Sequence, residues 1–130
     1  MYQKITEGIR ITVEPEFLEG HSKPAEDKFV WAYTITVENL GVETVTLLTR
    51  HWIITDGLGR RQDVRGDGVV GEQPTLKPGQ KFSYTSGCPL STASGVMLGG
   101  YGMITSVGRR FDISIPAFSL DSPHDRRSMN

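Results

Sequence analysis

The chain is predicted to be all-β: an antiparallel two-sheet sandwich of about seven strands, immunoglobulin or fibronectin type III-like in style. Three observations predict it. Val, Ile and Thr occur 10, 9 and 12 times against four Ala, and β-branched side chains suit a pleated surface while losing rotamer freedom in a helix. Apolar residues recur with period two: Phe29, Trp31, Tyr33, Ile35 and Val37 share one face, and Thr34, Thr36 and Glu38 mark the other. Turn-forming residues separate these runs at short intervals, and no stretch keeps a 3.6-residue apolar stripe. A single cysteine, Cys88, excludes the inter-sheet disulfide of antibody domains and favours the fibronectin-like variant.

Strands are expected at 5–18, 28–39, 44–56, 60–65, 80–88, 96–105 and 109–118. The first carries Ile9, Ile11 and Val13 in alternation, and the second is the aromatic run from Phe29. In the third, Val45 and Leu47 have odd parity but Trp52 and Ile54 even, so a β-bulge is expected near Leu48–Arg50. Asp56-Gly57-Leu58-Gly59 then reads as a hairpin connection into the fourth. Lys77-Pro78-Gly79-Gln80 has the Pro-Gly order of a type II turn and leads into Phe82 and Tyr84. Phe111, Ile113 and Ile115 restore alternation in the last strand. Glu19–Asp27 is polar and expected as an exposed loop, while Gly66–Pro74 lies outside the strand pattern. One domain spans 1–125, with a flexible tail at 126–130; the polar segment from Asp121 onward is expected to be mobile.

Charge narrows the partners. Fourteen Lys and Arg against fifteen Asp and Glu give a formal charge of −1, which excludes a strongly basic nucleic-acid binder. No run of about 18 apolar residues is present, so no membrane insertion is expected. The opening Met1–Glu7 has no apolar core of a secretory signal, and one cysteine permits no intramolecular disulfide, so nothing ties the chain to an oxidising compartment. A cytoplasmic location is the expectation.

Gly66-Asp67-Gly68-Val69-Val70-Gly71 fits GxGxxG. The dinucleotide-fold version needs a helix after the loop, and Pro74 and Pro78 preclude one. A glycine-rich loop can still present backbone amides to a phosphate or pyrophosphate, or simply supply positive φ. His21, His51 and His124 have no zinc-ligand spacing; His51 reads as a partly buried or surface strand residue. Asp56, Asp63, Asp67 and Glu72 could supply oxygens to a hard cation if the hairpin and the loop converge. Cys88, beside Pro89, has no base near it in sequence and reads as a core or edge residue. Paired carboxylates, a Ser-His-Asp order and a P-loop are absent, so no catalytic residue and no cofactor are expected. Met97, Tyr101 and Met103 either fill the core or form an adaptable contact surface.

Several of these segments together resemble the ApaG family of small bacterial proteins. They are Gly66-Asp67-Gly68-Val69-Val70-Gly71-Glu72-Gln73-Pro74, Phe82–Gly87, Phe29–Asn39, Arg50-His51-Trp52, Gly95-Val96-Met97 with Tyr101 and Met103, and Phe111–Leu120. The resemblance runs over about residues 3–125, and Gly102 departs from it where an acidic residue is frequent. It implies a fibronectin type III-like sandwich, an association with cobalt and magnesium tolerance, and a protein-binding role like that inferred for related eukaryotic domains. It implies no catalytic residue.

Two functions follow as expectations. The first is a non-enzymatic interaction module binding another protein, with Gly66, Gly68, Val69, Val70, Gly71, Gln73, Trp52 and Tyr84 as its site. On this reading Gly68→Val abolishes binding and leaves the sandwich folded. The second is a sensor that binds (pyro)phosphate or a divalent cation through loop 66–74, with Asp63, Asp67 and Glu72 as metal candidates. An exposed sandwich edge could also pair with its twin as a weak homodimer.

Overall fold

The computed structural model describes residues 1–125; the expected tail at 126–130 lies outside them. Among the described residues nine strands form: β1 (Tyr2–Thr6), β2 (Ile9–Phe17), β3 (Phe29–Asn39), β4 (Val45–Asp56), β5 (Arg61–Asp67), β6 (Thr75–Leu76), β7 (Lys81–Leu90), β8 (Gly95–Thr105) and β9 (Arg110–Leu120). They make two antiparallel sheets, one ordered β1-β2-β3-β7 and the other β5-β4-β8-β9 with β6 also on β4. The expected all-β architecture is what the chain adopts. No helix among the described residues is long and apolar enough to cross a membrane.

The strand count exceeds the expected seven for two local reasons. The run taken as one strand, 5–18, folds back on itself at Glu7-Gly8, whose φ values of 47° and 78° are those of a two-residue hairpin turn. The short β6 pairs Val45 and Thr46 with Leu76 and Thr75, a contact too brief to leave a period in the sequence.

Parity elsewhere becomes burial directly. Along β3 every odd residue from Phe29 to Asn39 is buried and every even one is partly exposed. The register of β4 on β8 shifts between Leu47 and Thr49, the bulge that the parity slip required; it returns Trp52 and Ile54 to the interior beside Leu47. A second shift, between Met97 and Gly99 on β8, faces β9. Met97, Tyr101 and Met103, each 1% exposed, are core residues and not a contact surface, because they alternate on the inward face of β8.

Turns close as their chemistry dictates. Asp56 Oδ1 accepts from the amides of Leu58 and Arg60, and Gly59 takes φ 80°. The Gln80 amide donates to Lys77 O with Gly79 at φ 88°, the type II arrangement. Asn39 is fully buried; its Nδ2 donates to Glu43 O and Leu76 O, and its Oδ1 accepts from Gly41 N. Glu19–Asp27 is an exposed connection containing two short 3-10 turns with no buried residue.

Residues 121–125 depart from the expected mobility. Trp31 Nε1 donates to Asp121 O at 2.8 Å, and Ser122 Oγ to Ala93 O at 2.7 Å. His124 packs edge-on against Phe17 and bonds to Glu19. A buried indole N–H needs an acceptor, and this segment supplies it.

Candidate functional site

The two sheets meet differently along their two sides. On one side β1 and β9 touch; on the other the edges of β5 and β7 stand apart. Between them lies a cleft of about 370 Å³. Its inner wall comes from β4, where the restored parity turns Arg50, Trp52 and Ile54 inward, and from Tyr33 and Tyr84 of the facing sheet. Val64, Val69 and Val70 form the rim on the β5 side.

The glycine loop connects β5 to β6 along the same edge of β4, crossing the bulge. Gly68 N donates to Leu48 O at 2.7 Å, Gln73 Nε2 donates to that oxygen at 2.9 Å, and Leu47 N donates to Pro74 O at 3.0 Å. Val69 and Glu72 exchange both backbone bonds around a turn at Val70-Gly71, with φ 44° and 80°. The amides of Gly68, Val69 and Glu72 therefore point at carbonyls of the chain. Of the two expectations for the loop, the structural one describes its glycines: GxGxxG here supplies positive φ at Gly68 and Gly71 and allows close packing. A Cβ on Gly68 would collide with the Glu72 carbonyl, and that residue's φ of 64° is itself unfavourable for a side chain. Gly68→Val is accordingly a lesion of the fold, not a clean probe of binding.

Gly66 has a different use. A Cβ there would stand 2.7–2.8 Å from the Arg50 guanidinium, so the glycine vacates the space in which that group lies. Arg50 Nη1 donates to Asp67 O at 2.9 Å and to Gly68 O at 3.0 Å. The loop is thus a mount for a half-buried arginine. No carboxylate among the described residues pairs with Arg50. It is the one residue shared between the cleft and a larger groove of about 710 Å³ across the β5-β4-β8-β9 sheet, flanked by His51 and Arg65 and lined by Gly99, Gly100 and Gly102.

Near Arg50 stand three tyrosines. The hydroxyls of Tyr84 and Tyr101 form a buried hydrogen bond to each other. Burial pushes both well above the ordinary phenol range, and the Arg50 charge offsets this only in part. Tyr33 is raised by burial too, with a hydrogen bond from Ser86 opposing it. Burial pushes the Cys88 thiol up to about 11, so at neutral pH it is a protonated wall residue and no nucleophile.

Other expected site residues do not present themselves as foreseen. Trp52, Val69 and Tyr84 are 3%, 1% and 8% exposed: Trp52 and Tyr84 build the cleft's floor, since their strands turn them inward, and Val69 is buried where the loop meets the rim. Trp52 stacks edge-on with Tyr33 and Phe118, at centroid distances of 5.2 and 6.0 Å. Val70, 57% exposed, is the one loop side chain at the surface with apolar area to offer. Gln73 is spent on the bulge.

The acids do not converge. Asp63 lies on the outer face, held by Arg61 and His51 at 2.7 and 3.0 Å; first Arg61 and then His51 keep its carboxyl well below the usual range. Asp56, at the hairpin turn three residues beyond Ile53, which pairs with Asp63, binds Arg60. Among the described residues no group of three His, Cys, Asp or Glu side chains could hold a metal ion. Asp67 and Glu72 gain no common focus with Asp63. Arg50 itself went unselected in the sequence; only the inward parity after the bulge and the small residue facing it at Gly66 could have marked it.

The described residues thus form a two-sheet antiparallel β-sandwich with an arginine mounted in an edge cleft. The chain belongs to the ApaG domain family, whose model matches residues 19–105. Protein ApaG of Rhodospirillum centenum is 59% identical over 130 residues, the whole of both chains. Protein ApaG of a Bradyrhizobium strain is 57% identical over the same span. A crystal structure described as the putative ApaA protein from Bordetella pertussis superimposes with a TM-score of 0.87 at 44% identity, covering 89% of this chain and 94% of that one.

Proposed function

We propose that this chain is a non-enzymatic binding module of the cytoplasm, and that its recognition site is the cleft between β5 and β7 and not the loop amides. The observation that carries the reading is Arg50: a half-buried guanidinium, held by two backbone carbonyls and paired with no carboxylate among the described residues, facing an otherwise uncharged cleft. A buried charge is costly unless it is paired, so a ligand that brings an anionic group gains a charge-assisted bond there. Val70 supports the same reading. It is β-branched yet held at φ 44°, and strain of this kind, about 1–3 kcal/mol, clusters at binding sites. The enzymatic alternative lacks a base beside a nucleophile, because the Cys88 thiol stays protonated and the Tyr84 and Tyr101 hydroxyls occupy each other.

The test is an amide- and side-chain-resolved NMR titration of the full chain with Mg²⁺, Co²⁺, pyrophosphate and a set of small carboxylate and aromatic fragments. Saturable shifts at the Arg50 Nε–H, the Trp52 indole and Val70 are expected from anionic fragments. Shifts confined to the outer groove, or none, overturn the cleft as the site; a response to the cations alone at Asp63, Asp67 or Glu72 would favour the ion-sensor function instead.

A further inference from the structure

The geometry points to the cleft's occupant: an extended peptide strand bearing one acidic side chain, which adds to its sheet along the outer edge of β7 and sets its carboxylate against Arg50. This rests on the cleft being the binding site and names the partner chemistry for it.

The edges of the two sheets argue for a strand. β7 is ten residues long and is the last strand of its sheet. It pairs with β3 without a register shift from Phe29–Leu90 to Glu38–Lys81. Among the described residues no turn or loop backbone group bonds to it. Between Lys81 and Pro89 it carries no charged side chain. Edges of this kind are normally blunted by charge, a bulge or a cover, because they are templates for another strand. The other edges are blunted: β5 carries Arg61, Asp63, Arg65 and Asp67, while β1 and β9 cover each other.

Charge and shape supply the rest. Tyr84 and Cys88 face inward, so a strand laid beside β7 would turn alternate side chains into the same cleft. Among the described residues Arg50 is the single charged one lining that cleft, and no acid lines it. One inward side chain is thus selected as Asp or Glu by a charge-assisted bond. Its inward neighbours two residues away meet Ile54, Val64 and Val70 and are selected as apolar.

Panning a phage-displayed library of random linear peptides on the full chain, then NMR hydrogen exchange with the best synthetic peptide, tests this. Enriched sequences are expected to alternate apolar and polar residues around one acid. The peptide should slow exchange of amides between Ser83 and Gly87. Changing its acid to the amide, or Arg50→Gln, should weaken binding by about tenfold or more. Arg50→Gln also loosens the loop, so the pair T85K and G87K examines the edge separately. These guard charges should leave the core ring resonances unchanged and abolish the slowed exchange. Binders without an acid, a footprint on the outer groove, or β7 protection that depends on protein concentration in the absence of peptide each overturn the proposal, the last because a second copy takes the edge. If anionic fragments bind at Arg50 but no strand-forming peptide does, the strand fails and the cleft stands; silence in both experiments removes both.

Discussion

The sandwich has a sewn side and an unsewn side. Along β1 and β9 the sheets are joined by side chains that reach across: Tyr2 Oη meets Ser119 Oγ at 3.1 Å, Thr6 Oγ1 accepts from Ser114 N, and the Tyr2 ring lies 6.0 Å from Phe118. Arg109 adds an exposed pair to Glu7 at 3.2 Å, worth little in water. Along β5 and β7 the links lie at the end and the floor of the gap, where Arg60 Nη2 donates to Ser91 Oγ at 2.9 Å and the Tyr84 and Tyr101 hydroxyls bond, and among the described residues no side-chain hydrogen bond joins a β5 residue to a β7 residue. There the only charged side chain turned inward, Arg50, is bound to its own sheet's loop. A seam closed by neutral hydrogen bonds and rings is what burial alone would produce. Leaving the opposite side parted, with an arginine mounted in it and a β-branched residue strained at its mouth, costs stability without a structural return. The proposed site lies on the open side.

Breaking the loop's attachment should have the largest effect. Gly68→Val puts a side chain against the Glu72 carbonyl and at positive φ, and a destabilisation of at least about 3 kcal/mol is expected from a clash of backbone kind plus αL strain. The midpoint of urea unfolding checks it. A variant as stable as the native chain would mean that the loop is not the fastening of β5 and β6 to the bulge, and the contrast between the two sides would lose its physical basis.

A smaller effect is expected where the open side meets the core. Tyr84→Phe removes one partner of the Tyr84–Tyr101 hydrogen bond and leaves a buried hydroxyl without it, costing about 1–3 kcal/mol. Removing both hydroxyls, in Tyr84→Phe with Tyr101→Phe, should recover much of that loss, since two apolar rings leave nothing unsatisfied. Thermal unfolding of the single and double variants measures the coupling. Additive losses would show that each hydroxyl has another partner and that the tyrosine pair is not what closes the cleft's floor.

The fold was legible because burial here follows parity. Alternation in β3 predicted its buried face residue by residue, and even the bulge in β4 announced itself as a slip from Leu47 to Trp52. What escaped was set by contacts distant in sequence. Nothing local distinguishes β6, which exists because β5 leaves the edge of β4 before the strand ends. The glycine loop was read by composition as either an amide cradle or a source of positive φ, since the destination of an amide depends on which carbonyl folds against it, and Leu48 and Glu72 took those of Gly68 and Val69. Trp52 and Tyr84 were chosen as aromatics on a surface, whereas their parity already placed them inside. Arg50 was invisible for the converse reason: a charged residue at an inward position is normally a mistake of register, and only its glycine partner across the ladder makes room for it.

The finest test of the contrast concerns Val70. Asn tolerates the left-handed region far better than a β-branched residue, and Val70 sits at φ 44° in a two-residue turn whose second residue, Gly71, is at φ 80°, the arrangement for which Asn-Gly is the favoured pair. Val70→Asn should therefore raise the unfolding free energy by about 1 kcal/mol, an increase readable in the denaturation midpoint. The same substitution takes a 57%-exposed apolar side chain from the cleft's rim, so peptide or fragment binding at Arg50 should weaken while the fold gains. Gain on one axis and loss on the other is the expected signature of a strained residue kept for recognition. A stabilised variant that binds as well as the native chain would reassign the strain at Val70 to the turn alone and leave Arg50 as the sole functional feature of the open side.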